Sequence, residues 1–107
     1  MKSDEIYIRR MLDAIGKIRR FTAGTDRPAF LANELVQSAV LMQLVVIGEL
    51  SKKVSDERKT GVDLPWKQIS GFRDRVVHDY YEVDLEYVWL TVQNDIPDLE
   101  RALTVSL

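Results

Sequence analysis

The stretch Gly71-Phe72-Arg73-Asp74-Arg75-Val76-Val77-His78-Asp79-Tyr80-Tyr81 surrounds the chain's single histidine with arginines, aspartates and tyrosines. Imidazole is the side chain whose ordinary pKa lets it take and give protons near neutral pH, so proton transfer at His78 is the chemistry on offer. On a helix Asp74 is a neighbour of His78 at four residues' distance, and Arg75 at three. A carboxylate there orients the ring and favours its protonated form, whereas an arginine opposes protonation, and the balance suits a group titrating near neutrality. A plainer reading stands beside it, in which His78 only complements the negative end of a helix dipole. Arg73 raises a geometric difficulty. Five residues turn an ideal helix by about 500°, so Arg73 and His78 point about 140° apart. They converge only if the helix ends near His78 or a second subunit completes the site.

The elements around this stretch read as helices. Ser3-Asp4-Glu5 is a helix start, and Ile8, Met11, Leu12, Ile15 and Ile18 follow at helical spacing up to Arg20. Thr22-Ala23-Gly24-Thr25 breaks the pattern, and Asp26 with Pro28 starts a second helix. From Phe30 the positions Leu31, Leu35, Ala39, Met42, Val46 and Leu50 recur every three or four residues, with Val36, Val40, Leu44 and Ile47 widening the stripe. That predicts one central helix of about 25 residues. Ser55 to Gly61 reads as a charged, glycine-ended loop, and Asp63 before Pro65 opens a third helix carrying Trp66, Ile69, Phe72 and Val76. Asp84 caps a fourth, with Leu85, Val88, Trp89, Val92, Ile96, Leu99 and Leu103 on its apolar face and a bend expected near Pro97. The predicted fold is all-α, an antiparallel up-and-down four-helix bundle forming one domain over residues 1–107.

Composition narrows the function. The 107 residues are 46% hydrophobic and 30% charged, ordinary for a globular protein, and one core is feasible at this size. Without cysteine there is no thiolate nucleophile or thiolate metal site, and one histidine excludes a multi-histidine metal site within one protomer. No metal or other cofactor is expected. A net charge of −2 argues against a general nucleic-acid coat protein while leaving room for a local basic cleft. The N-terminal residues offer no signal-peptide apolar region, and Ala39 to Gly48 is about half the length of a membrane span, so a cytoplasmic protein without membrane partners is expected.

Arg73, four residues, His78, one residue, then Tyr80 matches the Arg-x4-His-x-Tyr motif of the HEPN superfamily, and Asp74 fits the polar position after the arginine. Ile47-Gly48-Glu49-Leu50-Ser51 is similar to the central-helix block of the HepT-like branch, and Pro65-Trp66 through Val88-Trp89 resembles its third and fourth helices. The resemblance implies a homodimeric, metal-independent endoribonuclease, the toxin of a two-gene module. Its implied partner is an MntA-type nucleotidyltransferase antitoxin that silences the toxin by attaching AMP to the motif tyrosine, here Tyr80. RNA brings its own nucleophile, the 2′-hydroxyl, so His78 suits proton transfer and Arg73 suits the phosphoryl oxygens. In a symmetric dimer two copies of the segment would share one cleft, with Lys67 and Arg75 adding local positive charge.

Supporting roles fall to Asp74, Arg75 and Glu49. Glu49 interrupts the apolar central helix and either pairs with Arg73 or Arg75 or lies on a solvated stripe. Arg9, Arg10, Arg19 and Arg20 read as a solvated helix face, and Trp66 and Trp89 as core or interface anchors. Tyr80 could alternatively be structural, its hydroxyl bonded to nearby backbone. The competing function is a HEPN-like adaptor that has lost catalysis and only binds the nucleotidyltransferase; an intact Arg73, His78 and Tyr80 favours the enzyme.

Overall fold

Side chains with oxygen acceptors start four of the helices. In the computed structural model, which describes residues 2–107, every regular element is helical and no strand occurs among the described residues. Helix α1 spans Lys2–Thr22. The short α2, Arg27–Leu31, begins where Asp26 accepts from the Ala29 N–H, with Pro28 in the first turn. A new cap then intervenes: Asn33 accepts from the Val36 N–H and opens α3, Glu34–Lys53. The single central helix expected from Asp26 onward is therefore two helices. Gln37 secures the corner by donating from Nε2 to the Phe30 carbonyl at 2.9 Å.

Ser55 likewise accepts from the Arg58 N–H, so the expected loop at Ser55 to Gly61 contains one helical turn, α4, Asp56–Thr60. Helix α5, Trp66–Asp79, begins at Trp66 rather than Asp63, with Pro65 at its cap position. A 3-10 turn, Tyr80–Glu82, follows. Asp84 caps α6, Leu85–Leu90, by accepting from the Glu86 and Tyr87 N–H groups. The interruption expected around Pro97 is a wide π turn at Thr91–Asp95 that leads into α7, Ile96–Ser106. Ile96 donates to the Thr91 carbonyl five residues back, and Pro97 lies in the first turn of α7, a position that proline tolerates.

The core joins Ile8, Met11, Ile15 and Ile18 of α1, Val40, Leu44 and Ile47 of α3, and Val88, Trp89, Ile96, Leu99 and Leu103 of the last rod, formed by α6, the π turn and α7. Phe30 from α2 packs on Trp89 with ring centroids 5.3 Å apart. On α3 the buried face is the widening set Val40, Leu44 and Ile47 together with Leu50, while Leu35 and Met42 of the leading stripe are 80% and 59% exposed. The helix is apolar on nearly all sides, so spacing cannot select the side its neighbours cover. By length and composition α3 also passes as a membrane span, against the expectation from its apolar run alone, yet α1 and α5 both pack along it.

Polar ties fix the rods relative to one another. Asp4, almost fully buried, accepts from the Ser55 backbone N–H at 2.8 Å and its hydroxyl at 2.7 Å, joining the start of α1 to the end of α3. Arg19 pairs with Glu100 at 2.6 Å, and Arg58 donates to the Ser106 carbonyl at 2.6 Å. Since Asp4 and Arg58 share one end and Arg19 and Glu100 lie further along, α1 and α7 run in opposite directions.

Candidate functional site

Helices α3 and α5 meet at a glycine. A Cβ on Gly48 would stand 2.3 Å from the Arg73 Cβ and 3.1 Å from the Ile69 carbonyl, far inside van der Waals contact. Only a residue without a side chain lets α5 approach this closely. The approach brings Glu49 to Arg73: Oε2 lies 2.7 Å from Nε, both atoms being shut away from solvent. The N–H direction is off the line of a hydrogen bond, so the contact is ionic. Arg73 also donates from Nη1 to Asp74 Oδ1 at 3.0 Å, and Lys52 donates to the same oxygen at 2.6 Å.

Glu49, Arg73, Asp74 and Lys52 thus alternate in charge and sum to zero. The Asp74 carboxyl is held below its ordinary pKa, first by the Lys52 hydrogen bond and then by that from Arg73. Arg73 is fixed through two of its nitrogens, with its side chain 25% exposed, and Nη2 has no protein partner among the described residues. An arginine held in this way has lost most of its rotamer freedom before any anion arrives.

The other motif residues stand outside this cluster. His78 is exposed near the end of α5 and makes no hydrogen bond or ion pair among the described residues. Asp74, expected beside it, is turned to Lys52 and Arg73 instead. Arg75 and Lys67 are exposed on α5. Because α5 continues through Asp79, Arg73 and His78 stay about 140° apart on one helix, and one protomer does not bring them together. Tyr80 opens the 3-10 turn with its hydroxyl unbonded among the described residues; its carbonyl accepts from the Val83 N–H at 3.4 Å.

Of the expected residues, the fold gathers Glu49, Arg73 and Asp74 and leaves Arg75, His78 and Tyr80 apart. Sequence reasoning gave Gly48 and Lys52 no role. A glycine in the middle of an otherwise continuous apolar helix was the available signal for the first, and the three-residue step from Glu49 for the second. A separate cleft of about 360 Å³ lies between α3, α5 and the last rod, lined by Leu44, Ile47, Ile69, Phe72 and Tyr87 among others. It holds neither Arg73 nor His78. Among the described residues no three His, Asp or Glu side chains converge to hold a metal ion.

Comparison with known proteins agrees with this helical frame. The family described as Ribonuclease HepT-like matches residues 11–105. A Thermococcus cleftensis protein named "Probable ribonuclease HepT" is 34% identical over 100 residues, covering 92% of this chain and 91% of that one. A Methanocaldococcus jannaschii protein is 33% identical over 96 residues, 89% of this chain and 83% of its own length. A Caldanaerobacter subterraneus protein is 29% identical over 102 residues, 94% and 91% of the two chains. The names of the last two give RNase as an assigned activity rather than a demonstrated one. No solved structure matches. With nearly the whole chain covered by the family and by a relative of 34% identity, this protein belongs to the HepT-like ribonuclease family.

Proposed function

We propose that the protein is a metal-independent endoribonuclease toxin, working as a homodimer and silenced by a nucleotidyltransferase antitoxin that adds AMP to Tyr80. The observation that carries this reading is the state of the motif: Arg73 is clamped by Glu49 and Asp74, while His78 and Tyr80 stand open to solvent at the same end of α5. In the proposed reaction the RNA 2′-oxygen bonds to phosphorus as the bond to the 5′-oxygen breaks, leaving a 2′,3′-cyclic phosphate and a 5′-hydroxyl. A neutral His78 accepts the 2′ proton, and its protonated symmetry copy gives one to the departing oxygen. Arg73 stabilises the charge that builds on the phosphoryl oxygens.

Dimerisation has its own support. Leu35, Met42 and Glu49 are seven residues apart, so they share one face of α3, and the exposed apolar stripe ends at the carboxylate that holds Arg73. A second copy covering that stripe would end beside the motif, which is what the 140° separation of Arg73 and His78 requires. The test is to incubate purified protein with total RNA in EDTA, beside His78→Ala. Cleavage by the first and not the second is the expected result. Strict dependence on Mg²⁺ or Mn²⁺ would overturn the mechanism, and an RNA-inert protein that still binds the nucleotidyltransferase would leave the adaptor reading in its place.

A further inference from the structure

The turn that ends α5 puts two aromatic rings into solvent. Tyr80 is 67% exposed and Tyr81 75%, and their ring centroids lie 5.4 Å apart with planes at 79°. The other aromatics near the site are engaged: Phe72 stacks on Tyr87 at 5.9 Å, and Trp66 donates from Nε1 to the Val62 carbonyl. Tyr81 touches no ring but Tyr80, and its hydroxyl has no hydrogen-bond partner among the described residues. Leaving so much ring surface in water forgoes the gain that burial of an aromatic side chain normally brings.

We propose that Tyr81 is a stacking subsite for an unpaired nucleobase next to the phosphate handled by Arg73 and His78. The inference rests on the ribonuclease reading and deepens it by assigning the substrate class, single-stranded RNA. Every base has a π face that an exposed tyrosine can cover, whereas a duplex keeps those faces stacked on one another. Tyr81 lies three residues beyond His78, on the same turn as Tyr80, so a base on its ring belongs to a nucleotide close to the scissile bond.

Charge separates this subsite from the phosphate contacts. Asp79 precedes the turn, Glu82 lies in it and Asp84 follows, so it does not attract the RNA backbone. Arg73, Arg75 and Lys67 on α5 carry that attraction. Binding through them weakens steeply with salt, while stacking on Tyr81 does not. Removing the ring therefore lowers affinity by a constant factor at every salt concentration.

The experiment measures binding of a short 2′-O-methylated oligoribonucleotide, which cannot be cut, in single-stranded and duplex forms at low and high salt. Tyr81→Ala is expected to weaken single-strand binding about tenfold or more, with an unchanged salt slope and little effect on the duplex. Tyr81→Phe and Tyr81→Trp are expected to restore it, because the ring rather than the hydroxyl does the work. Equal losses in the Ala and Phe variants, equal losses on duplex and single strand, or a Tyr81→Ala protein that falls apart into monomers would each overturn the subsite; the last would make the ring part of an interface between copies. Cleavage of the unmodified oligonucleotide by the wild type is followed in parallel. Tyr81-dependent binding without cleavage would overturn the nuclease reading and leave the subsite standing.

Discussion

Gly48 lies against the base of the Arg73 side chain, so closely that a methyl group on Gly48 would come within 2.3 Å of the Arg73 Cβ. That obstacle is a Cβ rather than the far end of a flexible chain, so α5 itself has to move. Gly48→Ala is accordingly expected to destabilise the fold by about 1–3 kcal/mol, the usual range for overpacking. For a domain of this size that is a fall in Tm of at least about 4 °C, readable by circular dichroism. Cleavage should fall further than the folded fraction does, since Arg73 is carried away with α5. An unchanged Tm would mean that the helices are not held at this separation.

Glu49→Gln tests the clamp without changing its size. The buried edge of Arg73 then faces an amide in place of a carboxylate, and its guanidinium is held at Asp74 alone; a misplacement of about 1 Å can cost up to about a hundredfold in rate. We expect kcat to drop about tenfold or more with little change in KM. In an Arg73→Ala background the same substitution should cost nothing further, because it acts only through that arginine. Equal losses in both backgrounds, measured by single-turnover cleavage, would give Glu49 a general structural role instead.

The sequence made this region partly legible, for reasons that differ by residue. Asp84, Asp26 and the buried positions of α1 were readable because a cap and a strict helical period are local properties. The split at Asn33 was not, since Asn33 sits inside a continuous apolar pattern and only its bond to the Val36 N–H shows that the chain restarts there. The same breadth of apolar surface concealed which side of α3 faces the core. Glu49 was visible as a charge in an apolar run, but its choice of Arg73 over Arg75 depends on the approach that Gly48 permits. Asp74, readable as a neighbour of His78, turned to Lys52, a partner 22 residues away that no local rule nominates.

Asp4 provides a pH test away from the motif. The Ser55 side-chain hydrogen bond, followed by the Ser55 backbone bond, holds its pKa below the ordinary 3.8. A carboxyl whose folded pKa is depressed contributes stability above its unfolded pKa and loses it as pH falls through the folded one. Asp4→Asn should therefore lower Tm most at neutral pH, with the gap to wild type narrowing below about pH 3.8 as the aspartate itself becomes neutral. Thermal melts at pH 7, 5 and 3 would show it. A gap that stays constant across that range would mean that hydrogen bonding, and not charge, is what Asp4 provides.

The shared site predicts both an oligomer and a rescue. Arg73→Ala and His78→Ala should each lose about a hundredfold or more of cleavage, as expected for an electrostatic stabiliser and a general acid or base. Mixing the two inactive proteins and allowing subunits to exchange should restore part of the activity, because a mixed dimer carries one intact Arg73 and one intact His78 in one cleft, with water in place of the second imidazole. Met42→Lys, placed on the exposed apolar stripe of α3, should shift the protein to monomer in sedimentation experiments and abolish cleavage with it. A wild type that is monomeric at concentrations where RNA is still cut would refute the shared site.

Control by the partner is expected at Tyr80 and not at Tyr81. Exposure does not choose between them, as both rings are largely open and lie nearly perpendicular. The choice rests on spacing, since Tyr80 alone stands two residues after His78. The structural alternative for Tyr80, a hydroxyl tied to neighbouring backbone, has no bond to support it among the described residues, so the oxygen is available to react. In the proposed transfer that oxygen attacks the α-phosphorus of ATP, its proton is released, pyrophosphate departs, and AMP remains in phosphodiester linkage to the ring. The added phosphate is an anion two residues from His78, and the nucleoside is bulky enough to fill the space that RNA would enter. Inhibition is then local, electrostatic and steric together. Peptide mass spectrometry after incubation with the nucleotidyltransferase and ATP should find a single AMP on Tyr80, and Tyr80→Phe, if it still cuts RNA, should escape silencing. AMP on Tyr81, or full silencing of an active Tyr80→Phe variant, would move the control point elsewhere.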